Sequence, residues 1–107
     1  MAFTLQPKPT FTGEVTIPTP NGEGKITFEF KHKGRKALKA FYESLGEGET
    51  ARQDLDALIE LVSGWTGVDE EFSDENLGVL LDNYPAAPRA IFDAYNKALL
   101  EGRQKNS

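Results

Sequence analysis

The sequence predicts an α+β fold in which an N-terminal β-hairpin packs on a four-helix C-terminal region. Three observations support this class. Apolar and polar residues alternate before residue 33, apolar residues recur at helical spacing after residue 35, and turn formers cluster between the two alternating segments. With 107 residues, of which 38% are hydrophobic, the chain is long enough for one modest core, so we expect a single domain over residues 1–107.

The predicted hairpin covers about residues 13–32. Ile26, Phe28 and Phe30 alternate with polar residues, which is the period of a strand with one buried face. Asn21-Gly22 lies between the two alternating segments and is a strong hairpin signal. Because an isolated hairpin is only marginally stable in water, its apolar face must pack on helices or on another chain.

Four helices are predicted after the hairpin because apolar residues recur at spacings of three and four. Ser73 is placed to cap the first turn of the third helix, with Phe72 and Leu77 at the two positions of a hydrophobic staple. Pro85 separates the third helix from the fourth, because the residue before a proline disfavours helix. The predicted helices span about residues 35–45, 51–64, 74–83 and 86–101.

Polar segments are expected at both ends of the domain. Residues 1–10 are expected to form an extended arm that docks through Phe3 and Leu5. Such arms are often mobile, and equally often lie on a neighbouring subunit. Residues 103–107 form a flexible tail. No apolar run approaches the ~20 residues of a membrane span, and the N-terminus lacks the pattern of a signal peptide. We therefore expect an intracellular protein without a membrane partner.

Opposite charges occupy different parts of the sequence, although the net formal charge is −5. A basic block at the end of the hairpin is followed, from Glu43 to Glu75, by many carboxylates and a single basic residue, Arg52. The overall acidity argues against nucleic-acid binding, even by the basic block. The basic block consists of Lys31, Lys33, Arg35, Lys36 and Lys39, and the candidate acidic residues are Asp54, Asp56, Glu60, Asp69, Glu70 and Glu71.

Two interpretations of this charge distribution remain open at the level of the sequence. The basic block of one copy can meet the acidic surface of the next in a head-to-tail homo-oligomer. Because such a contact joins two different patches, it generates rings or open helical arrays. Alternatively, both patches are solvated and have no partner.

Trp65, the single tryptophan, is the remaining candidate interface residue. Either it caps the core beside the second helix, or it anchors an interface, since Trp is enriched in binding hot spots. Templates for catalysis and metal binding are poorly matched, because His32 is the single histidine and there is no cysteine. The acidic residues after Trp65 also lack the ligand spacing of an EF-hand. We therefore expect no enzymatic activity, no metal and no cofactor.

The C-terminal half resembles tail assembly chaperones of long-tailed, non-contractile bacteriophages of the lambdoid type. In such proteins a Trp, an acidic loop, an F-S-x-E/N-L helix start, a Y-P break and a closing K-N recur in this order. The resemblance covers residues 60–107 best. It rests on Trp65, Val68-Asp69, Phe72-Ser73, Asn76-Leu77, Leu80-Leu81, Tyr84-Pro85, Ile91, Tyr95 and Gly102-Arg103-Gln104-Lys105-Asn106.

The resemblance implies an assembly factor without catalysis. Such proteins bind the long, apolar tape measure protein in the host cytoplasm and keep it soluble until tail tube subunits polymerise around it. They self-associate into helical arrays and are absent from the mature virion. Many also exist in a C-terminally extended form, made by programmed ribosomal frameshifting, which recruits the tail tube protein. The alternative function is that of a small structural tail protein of the virion, such as a tail completion or tube-associated subunit.

Overall fold

The computed structural model describes residues 3–46 and 54–101, and these form a three-stranded sheet with four helices. The α+β class and the N-terminal hairpin are therefore confirmed. The third predicted helix has the expected bounds, and the first and fourth differ from them by one residue. The elements are β1 (Thr10–Thr19), β2 (Gly22–Lys31), α1 (Arg35–Ser44), α2 (Asp54–Ile59), β3 (Val62–Thr66), α3 (Asp74–Asn83) and α4 (Ala87–Glu101).

The hairpin of β1 and β2 is closed by a tight turn. Thr19 lies opposite Gly22 in the antiparallel register, so Pro20 and Asn21 form the connection. The Thr19 hydroxyl donates to the Gly22 carbonyl at 2.8 Å and accepts from the Asn21 amide at 3.3 Å. Gly22 has a φ of 129°, which residues with a side chain rarely adopt. The Asn21-Gly22 signal therefore lies at the turn, with Gly22 as its closing residue.

The prediction for residues 51–64 is wrong at its C-terminal end. The second helix ends at Ile59, and Val62–Thr66 forms the third strand, antiparallel to β2. The sheet order is β1-β2-β3, so β2 is the central strand. Residues 51–53 of the predicted helix lie outside the described part of the chain.

An irregular pairing explains why this strand has no alternating pattern. Trp65 lies opposite Phe28 and Val62 lies opposite Phe30, yet three positions separate Val62 from Trp65 and only two separate their partners. The extra residue is a β-bulge, which shifts the side-chain alternation by one position. Val62 also fits the apolar stripe of a helix, so the period of the sequence favoured the wrong element.

The core lies between one face of the sheet and the helices. Phe28 and Phe30 of β2 are fully buried, and their rings stack at 5.8 Å between centroids. Tyr95 of α4 meets Phe30 edge-on at 5.3 Å, and its hydroxyl donates to the Lys31 carbonyl at 2.8 Å. α4 is thereby fixed to the end of the central strand by both apolar contact and a hydrogen bond. The other buried core residues include Val15, Ile17, Leu58, Leu61, Leu77 and Ile91.

Gly13 of β1 is required by the position of the Phe30 ring. A Cβ atom on Gly13 would lie 2.9 Å from Cε2 of Phe30 and 3.6 Å from Cβ of Ala98. The Gly13→Ala variant is therefore expected to be destabilised by about 1–3 kcal/mol, measured by urea denaturation. The matched control is Gly24→Ala on β2, where a Cβ would meet nothing within 4 Å. Equal losses in the two variants would contradict the steric explanation.

Tyr95 is expected to make the fold less stable in alkaline solution. Burial raises the pKa of its hydroxyl from the ordinary 10.0 to about 12, and the proximity of Tyr42 adds to the rise. The folded protein therefore holds this proton more tightly than the unfolded chain does. The resulting stabilisation, ~3 kcal/mol, is present in full below pH ~10 and is lost as the pH rises through ~12.

The Tyr95→Phe variant isolates this effect, because it lacks the proton but keeps the ring. Denaturation curves at several pH values should show a steeper alkaline decline in the native protein than in the variant. Parallel declines would contradict the assignment to Tyr95.

Candidate functional site

The acidic loop, which carries Asp69, Glu70 and Glu71 between β3 and α3, has its backbone held by neighbouring side chains. The Trp65 indole N–H donates to the Glu70 carbonyl at 2.9 Å. The Asn76 side-chain amide donates to the Glu71 carbonyl at 2.8 Å. All three acidic side chains are exposed. The loop thus presents three carboxylates to solvent on a fixed backbone.

The start of α3 follows directly from the loop and uses the predicted capping residue. The Ser73 hydroxyl accepts a hydrogen bond from the Asn76 amide at 3.0 Å, as an N-cap does. Asp74 and Glu75 occupy the first turn, where the helix dipole favours negative charge. Asn76 also reaches back to the loop, so one residue connects the helix start to the acidic loop.

Trp65 connects the acidic loop to the core. It lies on β3 rather than just after a helix, and it is half-buried. Its ring meets Phe72 edge-on at 5.2 Å and Phe28 at 6.0 Å. The same indole donates its N–H to the Glu70 carbonyl, so the ring is in contact with the core while its N–H binds the loop. Trp65 therefore makes intramolecular contacts on both of its sides.

The basic block divides between the end of β2 and the start of α1. The Lys31 ammonium donates to the Ile59 carbonyl at 3.2 Å, where the end of α2 favours positive charge. The Lys33 ammonium lies 5.5 Å from the centre of the Phe41 ring, within the range of a cation–π contact. The other three members, Arg35, Lys36 and Lys39, are exposed on α1.

The first turn of α1 is electrostatically unfavourable. Arg35 and Lys36 lie where the helix dipole disfavours cations, and the first turn contains no acidic residue. Gly34 precedes the helix and provides no side-chain cap. Instead α1 is held by Phe41, which is buried and packs near Phe92 of α4 at 6.5 Å. The hydroxyl of Tyr42 also donates to the Asn96 side chain of α4.

The basic block and the acidic loop lie beyond opposite ends of β3. In the antiparallel register Thr27 lies opposite Thr66, and Phe30 lies opposite Val62. The acidic loop follows Thr66, whereas the basic block begins with Lys31, beyond the pairing of Phe30 with Val62. The four-residue step from Thr27 to Lys31 alone covers ~13 Å of strand. One molecule therefore presents a positive end and a negative end.

The acidic residues of α2 do not extend the acidic loop into one continuous surface. Glu60 follows Ile59, whose carbonyl accepts from Lys31, so Glu60 lies at the positive end. Asp54 and Asp56 occupy the first turn of α2, and Asp54 lines a groove together with Asp82 of α3. The acidic candidate residues predicted from the sequence thus lie in three places, which are the acidic loop, the first turn of α2 and, for Glu60, the positive end.

In residues 3–46 and 54–101, no group of three or more His, Asp or Glu side chains could hold a metal ion. Within the same ranges, no helix has the length and apolar character needed to cross a membrane.

Comparison with known proteins places the chain among the proteins of bacteriophage tail morphogenesis. A family model described as phage tail assembly chaperone matches residues 1–106, and the chain therefore belongs to the phage tail assembly chaperone family. This match confirms the resemblance seen in the C-terminal half and extends it over the hairpin and α1. No curated protein and no solved structure matches the chain.

The Trp65→Phe variant tests whether the indole N–H holds the acidic loop. It removes the hydrogen bond to Glu70 and keeps an aromatic ring on β3, so we expect a loss of about 1 kcal/mol in stability. Amide hydrogen exchange should accelerate at Glu70 and Glu71, while amides in the middle of β1 keep their rates. Unchanged exchange in the loop would show that Trp65 does not hold it.

Proposed function

We propose that this chaperone binds the tape measure protein in the host cytoplasm and coats it in several copies. The coat keeps the apolar tape measure protein soluble until tail tube subunits polymerise around it. In this proposal the protein has no catalytic activity and is absent from the mature virion. Family membership supports a role in tail assembly, and the surfaces of the molecule support the mode of association.

The observation that carries the proposal is the separation of the basic block from the acidic loop by β3. The basic block lies beyond one end of β3 and the acidic loop beyond the other. Two different patches that attract each other form a heterologous contact, which repeats from copy to copy and need not close. A head-to-tail homo-oligomer of this kind can follow the length of an elongated partner.

An extended form of the protein would add the second partner that tail assembly needs. The last described residue of α4, Glu101, is exposed, so a continuation of the chain would leave the domain without disturbing its core. We infer that such an extension, made by frameshifting, recruits the tail tube protein. The domain itself would then remain bound to the tape measure protein.

Charge reversal at one end at a time tests the head-to-tail contact. The first triple variant makes both ends negative by the substitutions Arg35→Glu, Lys36→Glu and Lys39→Glu. The second triple variant makes both ends positive by the substitutions Asp69→Lys, Glu70→Lys and Glu71→Lys. We expect each variant alone to associate at least ~10-fold more weakly than the native chain, and the equimolar mixture to recover association by alternating copies. Light scattering measures all three samples.

The control for this experiment reverses the charge of Lys97, which is exposed on α4 outside both surfaces. Lys97→Glu should associate like the native chain. Raising the salt concentration from ~0.1 M to ~1 M shortens the Debye length from ~10 Å to ~3 Å and should weaken association of the native chain. A mixture that fails to recover would contradict the contact between the two charged ends.

Co-expression tests the partner. Tape measure segments that aggregate alone should become soluble and co-purify with the chaperone. If the native chain stayed monomeric at all concentrations and failed to retain tape measure segments, the proposed function would be wrong. Stoichiometric amounts of the chain in purified virions, detected by mass spectrometry, would instead favour a structural tail protein.

A further inference from the structure

The N-terminal arm, residues 3–9, exposes two large apolar side chains. Phe3 is 89% exposed and Leu5 is 85% exposed, more than the other large apolar residues of the described chain. The base of the arm is fixed, because the His32 amide donates to the Pro9 carbonyl at 2.9 Å. The arm therefore leaves the molecule at the end of the sheet where β1 begins and β2 ends.

An apolar groove lies at the opposite end of the sheet. It has a volume of about 450 Å³, within the ~300–1,000 Å³ of sites that accept small ligands. The groove runs between the hairpin, the start of the acidic loop and α3. Apolar side chains on its walls are Ile17, Ile26, Val68, Leu80 and Tyr84, and Lys25 and Asp69 are its charged residues.

The arm is too short for Leu5 to reach this groove in its own molecule. The groove begins at Ile17, which lies seven residues along β1 from Thr10, a distance of ~24 Å. Leu5 lies five residues before Thr10, and five fully extended residues span at most ~17 Å. Leu5 in this groove must therefore come from a second copy.

Charge also favours a match between the arm and the groove. Residues 3–9 contain one charged side chain, Lys8, which is exposed. Asp69 lines the groove, and the exposed carboxylates of Glu70 and Glu71 follow it in the acidic loop. Lys25 on the hairpin side is the one cation lining the groove, so the acidic-loop side is where Lys8 would be placed.

We propose that the N-terminal arm of one copy docks in this groove of the next copy. Phe3 and Leu5 provide the apolar contact, and Lys8 faces the acidic loop. The inference rests on the proposed self-association and names the segment and the groove that produce it. Because the arm and the groove lie at opposite ends of the sheet, the contact repeats in the same direction as the charge contact and leads to a ring or an open array.

Paired cysteines test the contact directly, since the native chain contains none. In the Leu5→Cys, Tyr84→Cys double variant, docking brings the two cysteines of neighbouring copies together, and a disulfide requires Cα atoms within ~4.4–6.8 Å. Mild oxidation should produce a ladder of multimers on a non-reducing gel. Each single variant should give no species larger than a dimer.

A second cysteine pair controls for random collision. Leu5→Cys with Thr16→Cys places the partner cysteine near the groove along β1 but on the exposed outer face of the sheet, next in sequence to Ile17. This pair should give no ladder. Equal ladders from the two pairs, or no ladder from the Tyr84 pair, would overturn the proposal.

A double variant of the arm separates this inference from the proposed function. Phe3→Ser with Leu5→Ser alters two exposed residues, so the thermal unfolding midpoint should not change. We expect its self-association to weaken at least tenfold while the folded domain persists. Native-like association of this variant would overturn the arm contact and leave the proposed function in place. A photo-crosslinker at position 84 that captures the tape measure protein instead of the arm would also overturn it.

Discussion

The fold depends on the apolar face of the central strand β2. Phe28 and Phe30 are fully buried there, and each organises a different neighbour. Phe30 meets Tyr95 of α4, whose hydroxyl donates to the next carbonyl along the strand, at Lys31. Phe28 meets Trp65 of β3, which in turn holds the acidic loop. The core and the charged surface are therefore positioned by the same two side chains.

The pairing of β3 with β2 determines where the basic block and the acidic loop lie relative to each other. Since β3 is antiparallel to β2, the chain that leaves β3 emerges at the end of the sheet away from Lys31. The acidic loop is consequently carried away from the basic block, although both are tethered to one sheet. A helix over residues 51–64, as the sequence predicted, would not impose this separation. The charge asymmetry on which the proposed head-to-tail association rests is thus a consequence of strand direction as well as of composition.

Most of the fold is predictable from the sequence because its signals are local. The alternation around Phe28, the turn at Gly22 and the cap at Ser73 each act within a few residues, and the structure confirms the elements that they predict. The strand at Val62–Thr66 is different, because a bulge removes its alternation and it exists only through pairing with β2. A short run with β-branched and aromatic residues around Gly64 was the available signal.

The candidate site is less predictable because its contacts join segments that no local sequence pattern connects. Trp65 donates to a backbone carbonyl of Glu70, and every residue has such an acceptor, so no residue type marks the contact. The position of α2 in the fold also separates Asp54, Asp56 and Glu60 from the acidic loop. The order of charged residues along the sequence does not indicate this separation in space. The requirement for glycine at position 13 arises only from the ring of Phe30 on the neighbouring strand.

The two edge strands of the sheet affect how the protein behaves at high local concentration. β3 is five residues long and bulged, and the opposite edge strand, β1, contains Pro18, which has no N–H to donate. The short, bulged β3 is therefore a poor template for adding strands from other molecules, and Pro18 removes one N–H donor near the end of β1. In the proposed coat, many copies would gather along one partner, and at such a high local concentration open sheet edges favour amyloid-like stacking. If the chain self-associates as proposed, these edges favour side-chain contacts between copies over the addition of strands.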